Sequence, residues 1–358
     1  MKVLHQIHDT SIGGVEAAAA HLRHLLAGPG RRDGIRYRVA AFEEAPEGRR
    51  ALRADVVGHG LNRPSSVLRL ARTVVRTDPD LLVTSLWRSL LVAMTARALG
   101  WRGTWAVWVH LTNYSHRVDE LLHRLAVPRA DLVMCDSVAV RDQLIAPQLR
   151  ATGADVPLAL VRPDAVPLAA RASGPPSPEE PLRLVFWGRM AAAKRLDRVV
   201  ELLAQLHRIR PGGARLTLVG PDGGDLARIR AAIDAHSVAD LVELRGPADR
   251  AELAAHVAAA HAFVQLSDFE GFAMSAHEAL GSGMVCVLTP VGDLAVDTED
   301  GVHALHHHGD AARTAERLAA LAEDPAAWAR MSQAARRSGT GHMLEEFSAA
   351  CHQAVGAR

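Results

Sequence analysis

Two carboxylates in the second half of the chain stand at a spacing that suits a long ligand. Glu270 and Glu278 bracket the stretch Ser267-Asp268-Phe269-Glu270-Gly271-Phe272-Ala273-Met274-Ser275-Ala276-His277-Glu278-Ala279-Leu280. An apolar run, Ala262-Phe263-Val264-Gln265-Leu266, precedes it and has the length of a buried strand. Phe272 to Leu280 has a helical pattern. A strand that turns tightly into a helix aims unpaired backbone N–H groups, here those of Gly271 to Met274, and a positive dipole end at whatever lies above the sheet. That chemistry suits phosphate. The two carboxylates lie roughly 10 Å apart along a helix rising 1.5 Å per residue. A retaining glycosidase pair is separated by only ~5–5.5 Å, so Glu270 and Glu278 read as two anchors on one ligand. A helix-entry Glu followed by a solvent-facing Glu has the same spacing. The flanking Gly-Phe pair, the strand before and Gly281-Ser282-Gly283 after favour the ligand.

Two cations stand upstream. In Gly188-Arg189-Met190-Ala191-Ala192-Ala193-Lys194, an apolar run from Arg183 to Trp187 ends in a glycine, and Arg189 and Lys194 stand five residues apart before a helical segment. A guanidinium offers phosphate a forked contact and an ammonium a point charge. Lys194 is one of only two lysines in the chain, which draws attention to this loop. Near the N-terminus, Lys2 to Ile7 reads as a strand, and Gly13-Gly14 forms a turn before a helix from Ala17 to Leu26. Glycine lets backbone approach a ligand there, although a tight turn with no ligand has the same appearance. His110 closes the apolar run Thr104 to Val109 and is a candidate polar group at a strand end.

The elements that position these residues alternate. Strands are expected at 37–42, 80–85, 104–110, 130–137, 183–187, 216–219, 242–244, 262–266, 284–288 and 302–306. Helical patterns fall at 67–77, 89–99, 119–127, 138–144, 197–208, 226–235, 252–260, 310–323, 325–337 and 342–356. Strands alternating with helices at this spacing predict parallel sheets covered on both faces, with ligands beyond the carboxyl ends of the strands. Prolines 163, 167, 175, 176, 178 and 181 interrupt the rhythm. They mark residues 163–181 as a linker between an N-terminal domain, 1–162, and a C-terminal domain, 182–341. The closing helix, 342–358, is free to pack back towards the first domain.

With 358 residues, 49% hydrophobic and 23% charged, the composition is that of a globular protein of two ordinary domains. No run reaches 18 apolar residues and no signal peptide is evident, so a cytoplasmic protein is expected. The cysteines, at 135, 286 and 351, are too scattered for a disulfide framework or a metal cluster. Net charge is +1, but residues 1–165 carry a balance of +6 and the remainder −5. A moderately basic first half suits an anionic acceptor or a membrane surface, and equally an ordinary solvated face. Nothing resembles a nucleic-acid recognition motif.

Taken in order, the Gly13-Gly14 loop, Gly188-Arg189 with Lys194, Val219-Gly220-Pro221, and Glu270-Gly271-Phe272 with Glu278 resemble the retaining glycosyltransferases of family four. The resemblance implies the α/β fold called GT-B: two Rossmann-like domains with parallel sheets facing across a cleft. It implies a nucleoside-diphosphate sugar as donor substrate, with no further cofactor, no metal, and a small-molecule, glycan or lipid-linked acceptor. By resemblance, Arg189, Lys194 and the N–H groups of Gly271, Phe272, Ala273 and Met274 bind the diphosphate, and Gly188 belongs to the same turn. Glu278 takes the ribose and Glu270 the donor sugar. Gly14, beside Gly13, lets its loop approach the diphosphate, and His110 touches the transferred sugar. The base falls near Asp222 or residues 244–247. Two places depart from the family pattern: Asp164-Ala165 enters the linker, and Gly292-Asp293-Leu294 replaces a glycine pair. Trp87, Trp101, Trp105, Trp108 and Tyr114 suit either an acceptor surface or the core. An epimerase or non-glycosidic transferase on the same scaffold, or a non-catalytic nucleotide-sugar-binding protein, is the alternative.

Overall fold

The structure, a computed structural model, describes the chain except residues 12, 29–33, 111, 169–173, 211, 339–341 and 357–358. It divides into two compact units, Met1–Asp164 with Gly341–Arg358, and Ala165–Thr340. Part of the proline-rich linker, 169–173, lies outside the described residues.

In chain order the first unit holds β1 (Lys2–Ile7), α1 (Gly14–Leu26), β2 (Arg36–Ala41), β3 (Val56–Val57), α2 (Pro64–Thr77), β4 (Leu81–Ser85), α3 (Trp87–Ala98) and β5 (Thr104–Val109). It continues with α4 (Arg117–Ala126), β6 (Leu132–Cys135), α5 (Ala146–Thr152) and β7 (Leu158–Leu160). The strands pair in the order β3-β2-β1-β4-β5-β6-β7, all parallel. Parallel strands covered on both faces need continuous apolar runs, and β4 and β5 are buried at every position. Chain direction across the sheet reverses between β1 and β4, which makes their carboxyl ends the switch point where such sheets bind ligands.

The second unit repeats the plan with β8 (Leu182–Trp187), α6 (Leu196–Ile209), β9 (Ala214–Val219), α7 (Leu226–His236), β10 (Val242–Arg245), α8 (Arg250–Ala259) and β11 (Ala262–Gln265). Then follow α9 (Met274–Gly281), β12 (Val285–Leu288), α10 (Leu294–Asp297), β13 (Leu305–His306), α11 (Ala311–Ala322) and α12 (Pro325–Ala335). The sheet order β10-β9-β8-β11-β12-β13 places its reversal between β8 and β11. Val185, Phe263, Val287 and Leu203 are fully or almost fully buried in one core.

The last helix, α13 (Met343–Gly356), is part of the first unit's core: Met343, Phe347 and Cys351 are buried with Leu81, Val83 and Trp108. Polar contacts fix the chain around it, because Glu346 Oε2 accepts the Arg162 N–H at 2.7 Å and Asp164 Oδ1 accepts the Met343 N–H at 3.0 Å.

β3, β7, α5 and α10 fall where the sequence gives no element, and three further elements differ from the expectation. The helix expected from Phe272 starts at Met274, because Ala273 adopts the left-handed region (φ 60°, ψ 61°) and breaks the helix before it. The segment expected as helix over 138–144 winds as a wide π-turn at Val140–Ile145 before α5; Pro147 lacks the N–H that regular turns need, and the wider turn absorbs the defect. The last strand of the second unit contracts to Leu305–His306, since Gly301 turns at φ 77° just before it.

Candidate functional site

At the β8/β11 switch the backbone comes first. Gly188 follows β8 with φ 137° and Gly220 follows β9 with φ 145°, both in the region that favours glycine. A Cβ on Gly220 would fall 2.0 Å from the Gly188 carbonyl oxygen, so no other residue fits where these two chain segments cross. The loops are then laced together: Met190 N–H donates to Pro221 O at 2.9 Å and Gly223 N–H to Met190 O at 2.9 Å. This lacing props Arg189 outward. Its aliphatic stem lies over Gly223, where a Cβ would be 2.7 Å from Arg189 Cγ. Its exposed guanidinium has no hydrogen-bond or ionic partner among the described residues.

Lys194 ends a short 3₁₀ turn, Ala192–Lys194, and Arg195 after it takes φ 47° to enter α6. The Lys194 ammonium donates to Glu270 Oε1 at 2.7 Å. Gln265 Nε2 donates to the same oxygen at 3.0 Å, and Ser275 Oγ donates to Gln265 Oε1 at 2.9 Å. The carboxylate is thus held by a charge-assisted contact and by an amide that is itself oriented. The pattern of residue types at 189, 194 and 270 pointed to this region, yet Gln265 and Ser275 were not singled out. Nothing local in the sequence marks them, since Gln265 reads as one more strand residue.

Glu278 occupies the other end of α9's first turns. Its Oε2 accepts the Trp187 indole N–H at 3.0 Å, and Arg250 stands 3.6 Å from Oε1. Burial raises its pKa, with the indole hydrogen bond and Arg250 opposing the rise. Trp187 is a third residue the sequence did not flag as functional.

Between the two carboxylates, α9 opens without a side-chain cap. In the same unit Asp249, Asp310 and Asp324 cap α8, α11 and α12 by accepting first-turn N–H groups, while α6, α7 and α10 open uncapped as α9 does. The N–H groups of Gly271, Phe272, Ala273 and Met274 therefore stay available, with the positive end of the helix dipole behind them. Ala273 carries a left-handed backbone without being glycine, a strain on the order of 1 kcal/mol. Two contacts stabilise that conformation. Phe272 stacks on His277 at 4.1 Å, and His277 Nε2 lies 3.0 Å from Asp297 Oδ2. Gly292 presses on the turn from β12, where a Cβ would be 2.4 Å from Gly271 O. Gly292 thus acts on backbone, through the loop that departs from the family pattern.

In the first unit, His110 follows β5. Its Nε2 lies 2.8 Å from Ser85 Oγ and its Nδ1 3.5 Å from Asp136 Oδ2. Ser85 Oγ is also 2.8 Å from His5 Nε2, and His5 Nδ1 is 2.6 Å from the Tyr37 hydroxyl. Burial, and then His110, depress the His5 pKa to about 3, so that ring stays neutral, while burial keeps Tyr37 protonated. Both ring nitrogens of His110 are thus engaged inside this unit. A cavity beside it is lined by Trp87, Trp108, Tyr114, Asp119 and His123. Trp101, Trp105 and Trp108 are core residues, each no more than 3% exposed, and of the three Trp108 alone reaches that cavity, beside Trp87 and Tyr114.

Gly13 caps α1 in extended backbone, and a Cβ on it would meet Glu16 Oε2 at 2.4 Å. Gly14 has open space where its Cβ would be. Ile12, in the same loop, lies outside the described residues. Asp222 Oδ1 accepts the Gly224 N–H at 2.7 Å and stabilises its own turn. Among the described residues no cluster of three or more His, Cys, Asp or Glu is placed to hold a metal ion, and no helix is long and apolar enough to cross a membrane.

Residues 172–338 match the family model of glycosyl transferases group 1. The chain is 34% identical over 169 residues to a D-inositol 3-phosphate glycosyltransferase of Streptomyces avermitilis, a match covering 45% of this chain and 36% of that protein. A Thermobifida fusca counterpart is matched over 30% of its length, so the chain spans about a third of the length of each of these relatives. A Thermobispora bispora counterpart is 29% identical over 348 residues, covering 88% of this chain and 75% of that protein. Among solved structures, the sucrose-phosphate synthase of Thermosynechococcus elongatus aligns with a TM-score of 0.73 at 19% identity, covering 98% of this chain and 96% of that one. HepE of Anabaena in complex with UDP-glucose aligns at 0.75 and 18% identity, covering 100% and 98%. The fold is GT-B.

Proposed function

We infer that this chain, which matches the group 1 glycosyl transferase model over residues 172–338, is a glycosyltransferase that moves a sugar from a nucleoside-diphosphate sugar to an acceptor hydroxyl. Configuration is retained and no metal takes part. The observation that carries this reading is the β8/β11 switch, where the uncapped start of α9 stands between Glu270 and Glu278 and beside Lys194, with Arg189 unpaired on the neighbouring loop.

The Arg189 guanidinium and the N–H groups of Gly271 to Met274 take the donor diphosphate, supplying forked and dipolar contacts. Lys194 adds its ammonium to the leaving phosphate while remaining beside Glu270. Glu270 accepts from the sugar hydroxyls. Glu278, held on one oxygen by Trp187, accepts from the ribose.

The acceptor oxygen forms its bond to the anomeric carbon on the face from which the diphosphate leaves, and the carbon–oxygen bond to phosphate breaks. The hydroxyl proton passes to the departing phosphate oxygen. Catalysis is electrostatic and positional: fixed positive charge and N–H dipoles meet the negative charge as it develops on the diphosphate. No side chain forms a covalent intermediate. His110 stands by the acceptor with its ring orientation set by Asp136 and Ser85.

A thermal-shift panel of UDP, GDP, ADP and dTDP on wild type and Lys194→Ala tests the donor site. UDP comes first, since HepE is described in complex with UDP-glucose. A ligand at 100 times its dissociation constant stabilises by about 2.7 kcal/mol. One nucleotide should raise the melting temperature of wild type and not of the variant. Equal shifts in both proteins, or none with any nucleotide, overturn the site. The anomeric configuration of the product, read by NMR, tests retention.

A further inference from the structure

The first unit carries a cavity of about 810 Å³ at the outer edge of its sheet, between β2, β3 and α2. It is lined by Arg38, Arg69, Arg72 and Arg76, together with His59 and a single carboxylate, Asp55. Positions 69, 72 and 76 fall on one face of α2, and that helix contains no acidic residue. Arg72 and Arg76 are like charges at i,i+4, an arrangement that disfavours the helix by a few tenths of a kcal/mol. Several arginines elsewhere lie on a carboxylate, among them Arg50, Arg97, Arg124, Arg183, Arg228 and Arg317. Among the described residues Arg69, Arg72 and Arg76 have no carboxylate.

Asp55 does not balance them. Its Oδ2 already accepts from Arg23 Nη2 at 2.5 Å and from the Val39 N–H at 2.7 Å, and Arg38 Nε is only within 3.8 Å of Oδ1. Arg69 is also preset: its Nε donates to Val57 O at 3.1 Å and its Nη1 lies 3.2 Å from His59 Nε2, which fixes the plane of the fork. The Thr73 and Thr77 hydroxyls donate back to helix carbonyls. The wall is therefore a set of guanidinium forks over Val56 and Val57, with positive charge in excess.

Such forks bind the paired oxygens of carboxylates and phosphates alike, and several forks together favour the ligand with more oxygens and more charge, which is phosphate. The volume exceeds what one phosphate fills. The geometry points to this cavity as a second anion site, for a molecule bearing two or more phosphoryl groups, held by Arg38, Arg69, Arg72 and Arg76. It is separate from the strand ends that carry Ser85 and His110. β3 is the outermost strand, three positions from β4, or about 14 Å across a sheet of 4.8 Å spacing.

The test uses the full chain carrying Arg189→Ala and Lys194→Ala, which removes the donor-site cations, titrated calorimetrically with sodium tripolyphosphate. One site per chain is expected, and adding Arg72→Ala and Arg76→Ala should weaken it at least tenfold. The corresponding lysine substitutions should recover only part of that loss, because they restore charge without forks. These side chains are exposed, and an unchanged circular-dichroism melt verifies the fold. A parallel arm sediments the protein with phosphatidylcholine vesicles containing cardiolipin, whose headgroup carries two phosphoryl groups. Retention that depends on Arg72 and Arg76 and is competed by tripolyphosphate assigns the phosphoryl groups to a lipid headgroup; tripolyphosphate binding without retention assigns them to a soluble compound. The inference is overturned if neither probe binds, or if replacing two exposed arginines elsewhere, Arg208 and Arg337, causes the same loss.

Discussion

The two switch points, β1/β4 and β8/β11, share a strand order and differ in what they do with polarity. At β8/β11 the polar groups are charged and partly open: Lys194 on Glu270, Arg189 without a partner, and an uncapped helix start. At the other, β4 ends in Ser85, within a hydrogen-bonded chain that runs from His110 through Ser85 and His5 to Tyr37. A diphosphate needs fixed charge that does not have to reorganise when the bond breaks. The two switch points share one topology, and the difference between them resides in side chains rather than in sheet order.

The hardest blow to this contrast is Lys194→Ala. On the proposed reading it removes a cation from the leaving diphosphate, and it leaves the Glu270 carboxylate, itself only 10% exposed, without the Lys194 ammonium. Turnover should fall about a hundredfold, the scale seen when one preorganised donor is removed. Arg189→Ala should weaken nucleotide binding about tenfold with no change in melting temperature of the free protein, since nothing in the fold depends on its guanidinium.

The glycines sharpen the comparison. Gly220→Ala places a Cβ against Gly188 O in a backbone region closed to L-residues and should cost at least about 2 kcal/mol in chemical denaturation. Gly14→Ala meets nothing within 4 Å and should leave stability unchanged or slightly raised. A loss of donor affinity in that variant would support a role for its loop.

Glu278→Gln separates binding from stability. Burial raises the Glu278 pKa, so the ionised carboxylate costs the folded state stability at neutral pH. Below the range in which a free glutamate titrates, both states are protonated and the two proteins should melt alike. As pH rises through the raised pKa the wild type loses ground, so the variant should be the more stable at pH 7 while binding nucleotide more weakly.

The smallest effect concerns His5. Its folded pKa of about 3 lies below the unfolded 6.5, so it contributes stability above pH 6.5 that is lost as pH falls towards 3. Replacing it by Gln should flatten the acid limb of the stability curve in that window. An unchanged slope would show that His8, whose pKa is depressed to about 4, carries the effect instead.

Much of this was readable from residue order. Alternating apolar runs mark the strands, and glycines at 188 and 220 mark turns that only glycine fits. The placement of Arg189, Lys194, Glu270 and Glu278 around strand–helix junctions points to a diphosphate ligand. These are local signals: periodicity, turn chemistry and charge type are carried by neighbours in the chain. Other features depend on pairings across long sequence separations. Lys194 meets Glu270 across 76 residues, and Ser85 meets His5 across 80. Trp187 reaches Glu278 across 91, and α13 returns to the core of the first unit. Sheet order, the start of α9 at Met274, and the gathering of four arginines at an edge strand were likewise settled by packing. A side chain's partners follow from which strands become neighbours, and that choice is made by burial of the whole apolar surface rather than by any short stretch of sequence.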